Sequence, residues 1–358
     1  METVDLLPLF SNDFAKLGCE SLEGLSNMSL RPPSIDYLNF NDGGDGELKV
    51  DMETDMEKRI IRVLQVNEKT PVFGIDTSNI ILGNTEKGLL SAVRGSVVWR
   101  ENGSYQYVRH GPFIFHITER NRHTLYNSLR QIYLDVDDRV GTPILEKTVD
   151  RIRSILERWI QKHLCEVTHN SLILWDGSLT TRTVKRPISI LGEILHTARN
   201  NCNQILAFSK KTTLTMMGQR LGDLIDGKFA PCLLDIDKAI RLQYGSHLHF
   251  FGKIFAVKLS PTSFTFRLDI DRRASENENI NAIGKLLGNE ILADGYPETL
   301  RMAHILSRFS ASEILAMQRY VAVNYGLRIS PTSDVRQVLF GPYGGQNNLW
   351  SKSYDASL

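Results

Sequence analysis

The stretch Val72-Phe73-Gly74-Ile75-Asp76-Thr77-Ser78 predicts a short buried strand that ends abruptly at a carboxylate. A second stretch, Ser171-Leu172-Ile173-Leu174-Trp175-Asp176-Gly177-Ser178, has the same design later in the chain. A third apolar strand is predicted at 204–208 and ends at Ser209-Lys210-Lys211. Because helical periodicity separates these strands, the sequence predicts an α/β domain with a partly parallel sheet.

Further elements are predicted on both sides of this core. Apolar periodicity predicts helices at 53–65, 119–134, 147–165, 187–200, 278–292, 298–307 and 311–324. Strand patterns with turn signals predict two hairpins, formed by 89–99 with 103–117 and by 247–258 with 263–270. The sheet is thus expected to be mixed and flanked by helices, with β-hairpin and helical additions.

Composition narrows the class of protein. The 358 residues are 42% hydrophobic and 23% charged, which suits a soluble globular protein with a real core. No apolar run approaches the ~18 residues of a membrane span, and the N-terminus lacks the basic-then-apolar pattern of a secretory signal. The four cysteines are far apart, which predicts a reducing, cytoplasmic location and no thiolate zinc site.

The net charge of +1 hides an asymmetry between the N-terminus and the rest of the chain. Residues 1–57 hold 13 acidic and three basic side chains, so the other residues hold 39 basic and 28 acidic ones. We therefore predict an acidic, loosely held arm at 1–55, a folded basic domain at 56–340 and a C-terminal tail at 341–358. The basic body could attract DNA, and the arm could cover that surface or could simply be a solvated segment.

Three carboxylates predict a cation site. The carboxyl ends of strands line the crevice of open α/β sheets, so Asp76 and Asp176 are expected to share it. Glu157 lies on the helix 147–165 at the edge of its apolar arc and could reach the same crevice. Such hard oxygen ligands suit Mg²⁺ or Mn²⁺, and two ions ~4 Å apart can promote phosphodiester hydrolysis. The alternative is that both aspartates cap turns and that Glu157 is a solvated helix residue.

Other polar residues leave two interpretations open. His304, on the helix 298–307, is either a site residue or a satisfied helical histidine. Arg267 and Asp269 share one side of a strand and form either an ion pair or a phosphate contact and a metal ligand. Lys210 follows a strand and is either a phosphate contact or exposed.

With these motifs assembled, the chain resembles the NurA family of DNA-end-processing nucleases. The resemblance spans about residues 70 to 325 and rests on the stretches 73–78, 172–179, 207–210, 266–269, 295–297, 303–304 and 308–310. The most specific part is Gly295-Tyr296-Pro297, followed by Ala303-His304 and Arg308-Phe309-Ser310.

The resemblance implies a role for each site residue. Asp76 and Asp176 would bind metal, and Glu157 would be the family's helical glutamate, nineteen residues before Asp176. His304 would complete the site, with Asp269 as a further acid. Lys210, Arg267 and Ser178 would contact DNA phosphates.

The resemblance also implies an activity and partners. It suggests a ribonuclease-H-like homodimer that uses Mn²⁺ or Mg²⁺, with 5′-to-3′ exonuclease and single-strand endonuclease activity. The partner would be the hexameric HerA translocase, in the resection of DNA double-strand breaks. The chain departs from the family pattern at Thr77, where glycine is common, in its acidic leader, and at 212–245, which cannot be aligned.

Two rival functions remain. Gly74-Ile75-Asp76-Thr77-Ser78-Asn79 is similar to the phosphate-binding hairpin of actin- and sugar-kinase-like ATPases. That class needs a later Gly-Gly adenosine motif after a strand, and the later pair here, Gly344-Gly345, is near the C-terminus. The second rival is a non-catalytic DNA-binding subunit, against which the combination of three acids and His304 argues.

Overall fold

Helices pack on both faces of one large sheet. The structure, a computed structural model, describes residues 12–31, 48–50, 59–101, 103–135, 141–182, 188–209, 215–216, 219–220, 225, 227–237, 240–242 and 248–330. The helices in these ranges are α1 (Asn12–Leu22), α2 (Arg122–Leu134), α3 (Leu145–Val167), α4 (Ile188–Asn200), α5 (Glu276–Asn289), α6 (Glu298–Ser307) and α7 (Ala311–Tyr325).

The strands range from two to fifteen residues. In chain order they are β1 (Ser29–Leu30), β2 (Leu48–Val50), β3 (Ile60–Arg62), β4 (Val72–Asn84), β5 (Gly88–Glu101), β6 (Ser104–Thr118), β7 (Leu172–Asp176), β8 (Thr180–Arg182), β9 (Gln204–Ser209), β10 (Thr215–Met216), β11 (Gln219–Arg220), β12 (Cys232–Asp235), β13 (Ile240–Leu242), β14 (Leu248–Phe250), β15 (Gly252–Lys258), β16 (Phe266–Asp271), β17 (Leu292–Ala293), β18 (Tyr296–Pro297) and β19 (Arg328–Ile329).

One sheet of nine strands organises the fold. Its order is β3-β12-β15-β16-β9-β7-β4-β5-β6, and the pairs β4–β7 and β7–β9 are parallel while the other pairs in it are antiparallel. The expected mixed α/β architecture is therefore confirmed, whereas the closer likeness to ribonuclease H stays a prediction.

The two faces of the sheet carry different helices. Successive side chains of a strand point to opposite faces, so β4 contributes to two cores. Its residues Phe73 and Ile75 pack in a core with side chains of α1, α2, α3 and α4, whereas Val72 packs in a core that includes Ile283 of α5 and Leu300 of α6. We call these the four-helix face and the α6 face. A third cluster joins α7, through Met317 and Val321, to the loop after α1.

Helix α6 lies unusually close to β4. A Cβ atom added at Gly74 would lie 2.8 Å from the carbonyl oxygen of Thr299, in the first turn of α6. Ser96 of β5 donates a hydrogen bond of 2.6 Å to the carbonyl oxygen of Ala303, one turn further along. The glycine in the sequence Phe73-Gly74-Ile75 thus allows α6 to pack with its backbone against the strand.

Three sequence predictions differ from the structure. Ile60–Arg62 is a strand paired antiparallel with β12, not the end of a helix at 53–65. The strand β4 does not end at Asp76 but continues to Asn84, because β5 pairs with it along nearly its whole length. Residues 12–31 are not loosely held, since Phe14 and Leu25 are fully buried. The structure confirms four predicted helices within a few residues, at 119–134, 147–165, 298–307 and 311–324. It also confirms the hairpin predicted at 89–117.

No helix in the described ranges combines the length and the apolar composition needed to cross a membrane.

Candidate metal centre

Parallel pairing places Asp76 and Asp176 side by side. Gly74 is in register with Leu174, and Ile75 with Trp175, so the two aspartates are the next residues on neighbouring strands. β7 ends at Asp176 and the chain turns away at Gly177, whose φ is +133°. β4 continues beside β5 at this point, so the carboxylates lie where β7 separates from β4. By strand alternation both point to the α6 face.

Helix α6 brings His304 to the two carboxylates. Its Nδ1 lies 2.9 Å from Oδ2 of Asp76 and 4.0 Å from Oδ2 of Asp176. One ligand atom of each residue lies within 4.8 Å of the others. The side chains of Asp76, Asp176 and His304 are 13%, 21% and 41% exposed, so solvent or a substrate can reach the group. We call these three residues the Asp-Asp-His cluster.

The contact between His304 and Asp76 also indicates which ring nitrogen of the imidazole carries the proton. A carboxylate can only accept a hydrogen bond, so Nδ1 must carry a proton to donate to it. In the neutral ring, Nε2 then holds the lone pair that can bind a cation or accept a proton.

Ser307 supports the same carboxylate and was not identified from the sequence. Its hydroxyl is buried and lies 2.8 Å from Oδ2 of Asp76, with the carbonyl oxygen of His304 as an alternative acceptor at 3.0 Å. The hydroxyl of Ser78 donates to the carbonyl oxygen of Ser307 and so attaches this turn of α6 to β4. The available signal was its spacing, because residues three apart on a helix share a face and Ser307 follows His304 by three.

Tyr296 is a further group beside the cluster. Burial, and after it the charges of Asp176 and Asp76, raise the pKa of Tyr296 above its usual range. Its hydroxyl therefore stays neutral near the carboxylates. Gly295-Tyr296-Pro297 leads directly into α6, so this motif positions both Tyr296 and the helix that carries His304.

The donor set of the cluster fits a divalent cation. Two carboxylates and one imidazole offer the oxygen and nitrogen ligands that Mn²⁺ accepts, and Mg²⁺ would rely on the oxygens. The three groups come from two strands and one helix that are packed together, so their separation is set by the fold.

Glu157 lies outside this cluster. Its carboxylate accepts hydrogen bonds from Arg153 at 3.2 Å and from Gln161 at 3.4 Å, both on its own helix. The same Arg153 nitrogen contacts Thr77, which points to the four-helix face because it follows Asp76 on β4. α3 thus holds Glu157 on the other side of the sheet from the direction in which Asp76 points.

Arg267 and Asp269 form a buried ion pair, which is one of the two interpretations left open by the sequence. The distances are 2.8 Å from Nε to Oδ1 and 2.8 Å from Nη2 to Oδ2, and both residues are 0% exposed. Asp176 is in register with Phe208, which pairs with Leu268, so residues 267 and 269 point to the opposite face. The predicted roles of Arg267 as a phosphate contact and of Asp269 as a metal ligand do not hold in this structure.

The buried pair instead fixes the loop that follows Asp176. The backbone N–H of Leu179 donates to Oδ2 of Asp269 at 3.0 Å, and Arg267 donates to the hydroxyl of Thr180. Ser178 is partly exposed in this loop, two residues after Asp176, so its predicted role as a phosphate contact remains a prediction. Lys210 lies outside the described residues.

Comparison with known proteins identifies the family. The family model described as the NurA domain matches residues 70–309, which is more than half of the chain and includes the whole Asp-Asp-His cluster. The chain belongs to the NurA family. A solved structure similar to this NurA-family chain is the crystal structure of the NurA nuclease from Sulfolobus solfataricus. It is 15% identical, covers 75% of this chain and 89% of its own, and has a TM-score of 0.47. Among curated proteins, none matches.

Proposed function

We propose that this NurA-family protein is a metal-dependent deoxyribonuclease whose active site is the Asp-Asp-His cluster. The observation that carries the proposal is the approach of Asp76, Asp176 and His304 within 4.8 Å of one another, in a chain of this family. Phosphodiester hydrolysis needs a nucleophile made from water and a way to neutralise charge on the leaving oxygen. A divalent cation held at the cluster would supply both.

The residues of the chain each contribute a defined part. Asp76 and Asp176 would provide carboxylate ligands, and Ser307 would hold Asp76 in its orientation by the 2.8 Å hydrogen bond. His304, with Nδ1 engaged by Asp76, would present Nε2 as a ligand or as a proton acceptor. Ser178, in the loop after Asp176, would contact a DNA phosphate.

Glu157 has a separate place in the proposal. The resemblance suggests that it is the family's helical glutamate, and a second cation would then need its carboxylate. Arg153 and Gln161 now bind that carboxylate on the four-helix face, so recruitment of Glu157 requires that these hydrogen bonds break and that the side chain moves toward the Asp-Asp-His cluster. We propose that Asp76, Asp176 and His304 hold the first Mn²⁺ or Mg²⁺ and that Glu157 contributes to a second.

The finer description of the function also belongs to the proposal. The preferred substrates would be DNA ends and single strands, cleaved with 5′-to-3′ exonuclease and endonuclease activity. The protein would act as a cytoplasmic homodimer with a HerA-type translocase in double-strand-break resection. Residues outside 1–57 include 39 basic and 28 acidic side chains, and this positive balance supports binding to a polyanion.

The test is cleavage of end-labelled linear DNA with Mn²⁺, comparing wild type with Asp176→Asn. The substitution keeps the size of the side chain and removes the charge that binds the cation. The matched control is Asp135→Asn, because Asp135 is exposed, and its φ of 51° suits asparagine.

We expect wild type and Asp135→Asn to cleave DNA when Mn²⁺ is present and to stop when it is chelated, and Asp176→Asn to lose activity by at least about a hundredfold. Equal cleavage by Asp176→Asn and wild type would place the active site elsewhere. An inactive wild type, even with a HerA-type partner added, would favour the non-catalytic DNA-binding subunit.

A further inference from the structure

A cleft on the four-helix face has a chemistry of its own. It is enclosed by α2, α3, α4 and β8, and its polar lining consists of Tyr126, Arg130, Arg151, Ser154, Arg158 and Thr181, together with Glu157. Asp76, Asp176 and His304 are not part of its lining, and they point to the other face of the sheet. The cleft is therefore a different feature from the Asp-Asp-His cluster.

Among the described residues that line the cleft, basic side chains outnumber acidic ones. Three guanidinium groups line it against one carboxylate, that of Glu157, which already accepts a hydrogen bond from Arg153 outside the lining. Arg130 is only 3% exposed and lies 5.5 Å from the ring centre of Tyr126. Arginine at such a density is typical of sites for phosphate, since each guanidinium has five donors and can contact protein groups and an oxyanion together.

Thr181 provides an independent observation. It is 3% exposed, and its hydroxyl has no hydrogen-bond partner among the described residues. A buried hydroxyl without a partner costs free energy, so a ligand that accepts its proton would be favoured in the cleft. Phosphate oxygens are acceptors of this kind.

The cleft also adjoins the strand that carries Asp176. Arg158 lies 5.6 Å from the ring centre of Trp175, the residue before Asp176 on β7, and donates a hydrogen bond of 2.7 Å to Gln161. A ligand bound beside Arg158 would therefore lie behind the end of β7, on the face opposite the side chains of Asp76, Asp176 and His304.

We propose that this cleft binds a phosphate group of a nucleotide through Arg130, Arg151, Arg158 and the hydroxyl of Thr181. The phosphate could be the 5′-terminal phosphate of a DNA strand or that of a free mononucleotide. The first source rests on the proposed nuclease function, because it assumes DNA as the substrate. The second does not depend on cleavage.

The experiment measures binding in the presence of chelator, so that neither metal nor cleavage contributes. Fluorescence anisotropy compares a labelled oligonucleotide carrying a 5′-phosphate with the same strand carrying a 5′-hydroxyl. Thermal shifts are measured with inorganic phosphate, deoxyadenosine 5′-monophosphate and deoxyadenosine. The variants are Arg151→Gln and Arg158→Gln, with Ser154→Glu to place a carboxylate in the cleft without removing an arginine. Lys147→Gln, on the same helix but outside the cleft lining, controls for loss of one positive charge.

Two results support the proposal and distinguish the sources. If the 5′-phosphate tightens DNA binding by about tenfold in wild type and Lys147→Gln but not in the cleft variants, the source is the DNA end. If DNA binding ignores the 5′-phosphate, but phosphate and the nucleotide stabilise wild type and not the cleft variants, the source is a free nucleotide. The proposal is overturned if wild type, Lys147→Gln and all cleft variants respond alike to both kinds of ligand, or if Lys147→Gln loses binding as fully as they do. Because cleavage with Mn²⁺ is assayed separately, an inactive protein that still binds phosphate would refute the nuclease and not the cleft.

Discussion

Replacement of Gly74 by alanine tests how the fold sets the geometry of the cluster. The added Cβ would lie 2.8 Å and 2.9 Å from the carbonyl oxygen and carbon of Thr299 and 3.0 Å from Cα of Leu300. These are backbone atoms, so the contact cannot be relieved by a side-chain rotation. An ordinary contact begins at 3.4 Å, so α6 must move from β4 by roughly 0.6 Å.

Two effects of Gly74→Ala follow from this displacement. Overpacking of a close-packed interface costs about 1 to 3 kcal/mol in the free energy of unfolding. The distance from His304 to Asp76, now 2.9 Å, would lengthen to about 3.5 Å, beyond a normal hydrogen bond. Because a misplacement of about 1 Å can cost a hundredfold in rate, we expect DNA cleavage to fall by about tenfold or more.

Urea unfolding followed by circular dichroism measures the first effect, and cleavage of end-labelled DNA with Mn²⁺ measures the second. Gly141→Ala is the matched control, because a Cβ there meets no atom within 4 Å and the glycine has no positive φ. We expect it to stay within about 0.5 kcal/mol of wild type. If Gly74→Ala were as stable and as active as Gly141→Ala, the close approach of α6 would not be what sets the site.

Three further predictions test the surroundings of the site, the pH response and the binding of DNA. Ser307→Ala removes the hydrogen bond to Asp76 and should lower the rate of DNA cleavage about tenfold. The control is Ser312→Ala, at an exposed position, which should leave the rate unchanged. Equal rates for the two variants would show that Ser307 does not support Asp76 in cleavage. Burial lowers the pKa of His116 from 6.5 to about 4. Between these two pH values the unfolded chain is protonated at His116 and the folded chain is not. The free energy of unfolding should therefore fall by at most about 3 kcal/mol as the pH decreases from 6.5 to about 4. Urea unfolding near pH 7.5 and pH 5 should show a smaller fall for His116→Gln, and an identical fall would contradict the assignment. DNA binding measured in chelator should weaken steeply between about 50 and 300 mM salt, and a flat response would argue against contacts to backbone phosphates.

The sequence predicted the pairing of Asp76 with Asp176 for a sound physical reason. Apolar runs followed by aspartate gave two buried strands, and parallel neighbours bring their carboxyl ends together. The structure confirms that neighbourhood, although β4 continues past Asp76 because its other edge is paired with β5. A strand can lose its partner on one edge without ending, and the apolar pattern alone does not show this.

The face of the sheet on which each residue lies could not be predicted. Glu157, Arg267 and Asp269 all occur at plausible positions in the sequence, yet the structure holds them on the four-helix face. His304 reaches Asp76 because α6 crosses the opposite face, guided by the close approach at Gly74. Which face of the sheet a helix covers depends on tertiary packing. The helical period of 298–307 predicts the helix but not the face on which it packs.

The N-terminal segment shows a second limit of the sequence. Its acidic composition favoured a solvated arm, but Phe14 and Leu25 are buried against the rest of the protein. The ring of Phe14 lies 5.3 Å from that of Phe113 on β6, so its burial requires a surface that forms only when the sheet is complete. Net charge is an argument about solubility and not about fold, so it could not predict that this segment packs against the sheet.

The central claim is that Asp76, Asp176 and His304 hold a divalent cation. The most direct measurement is an anomalous difference map from a crystal of the protein soaked in Mn²⁺. The account predicts a peak at coordination distance from a carboxylate oxygen of both Asp76 and Asp176, with His304 adjacent, and no such peak in Asp176→Asn. A well-ordered crystal with manganese bound elsewhere, or with none at this cluster, would contradict it.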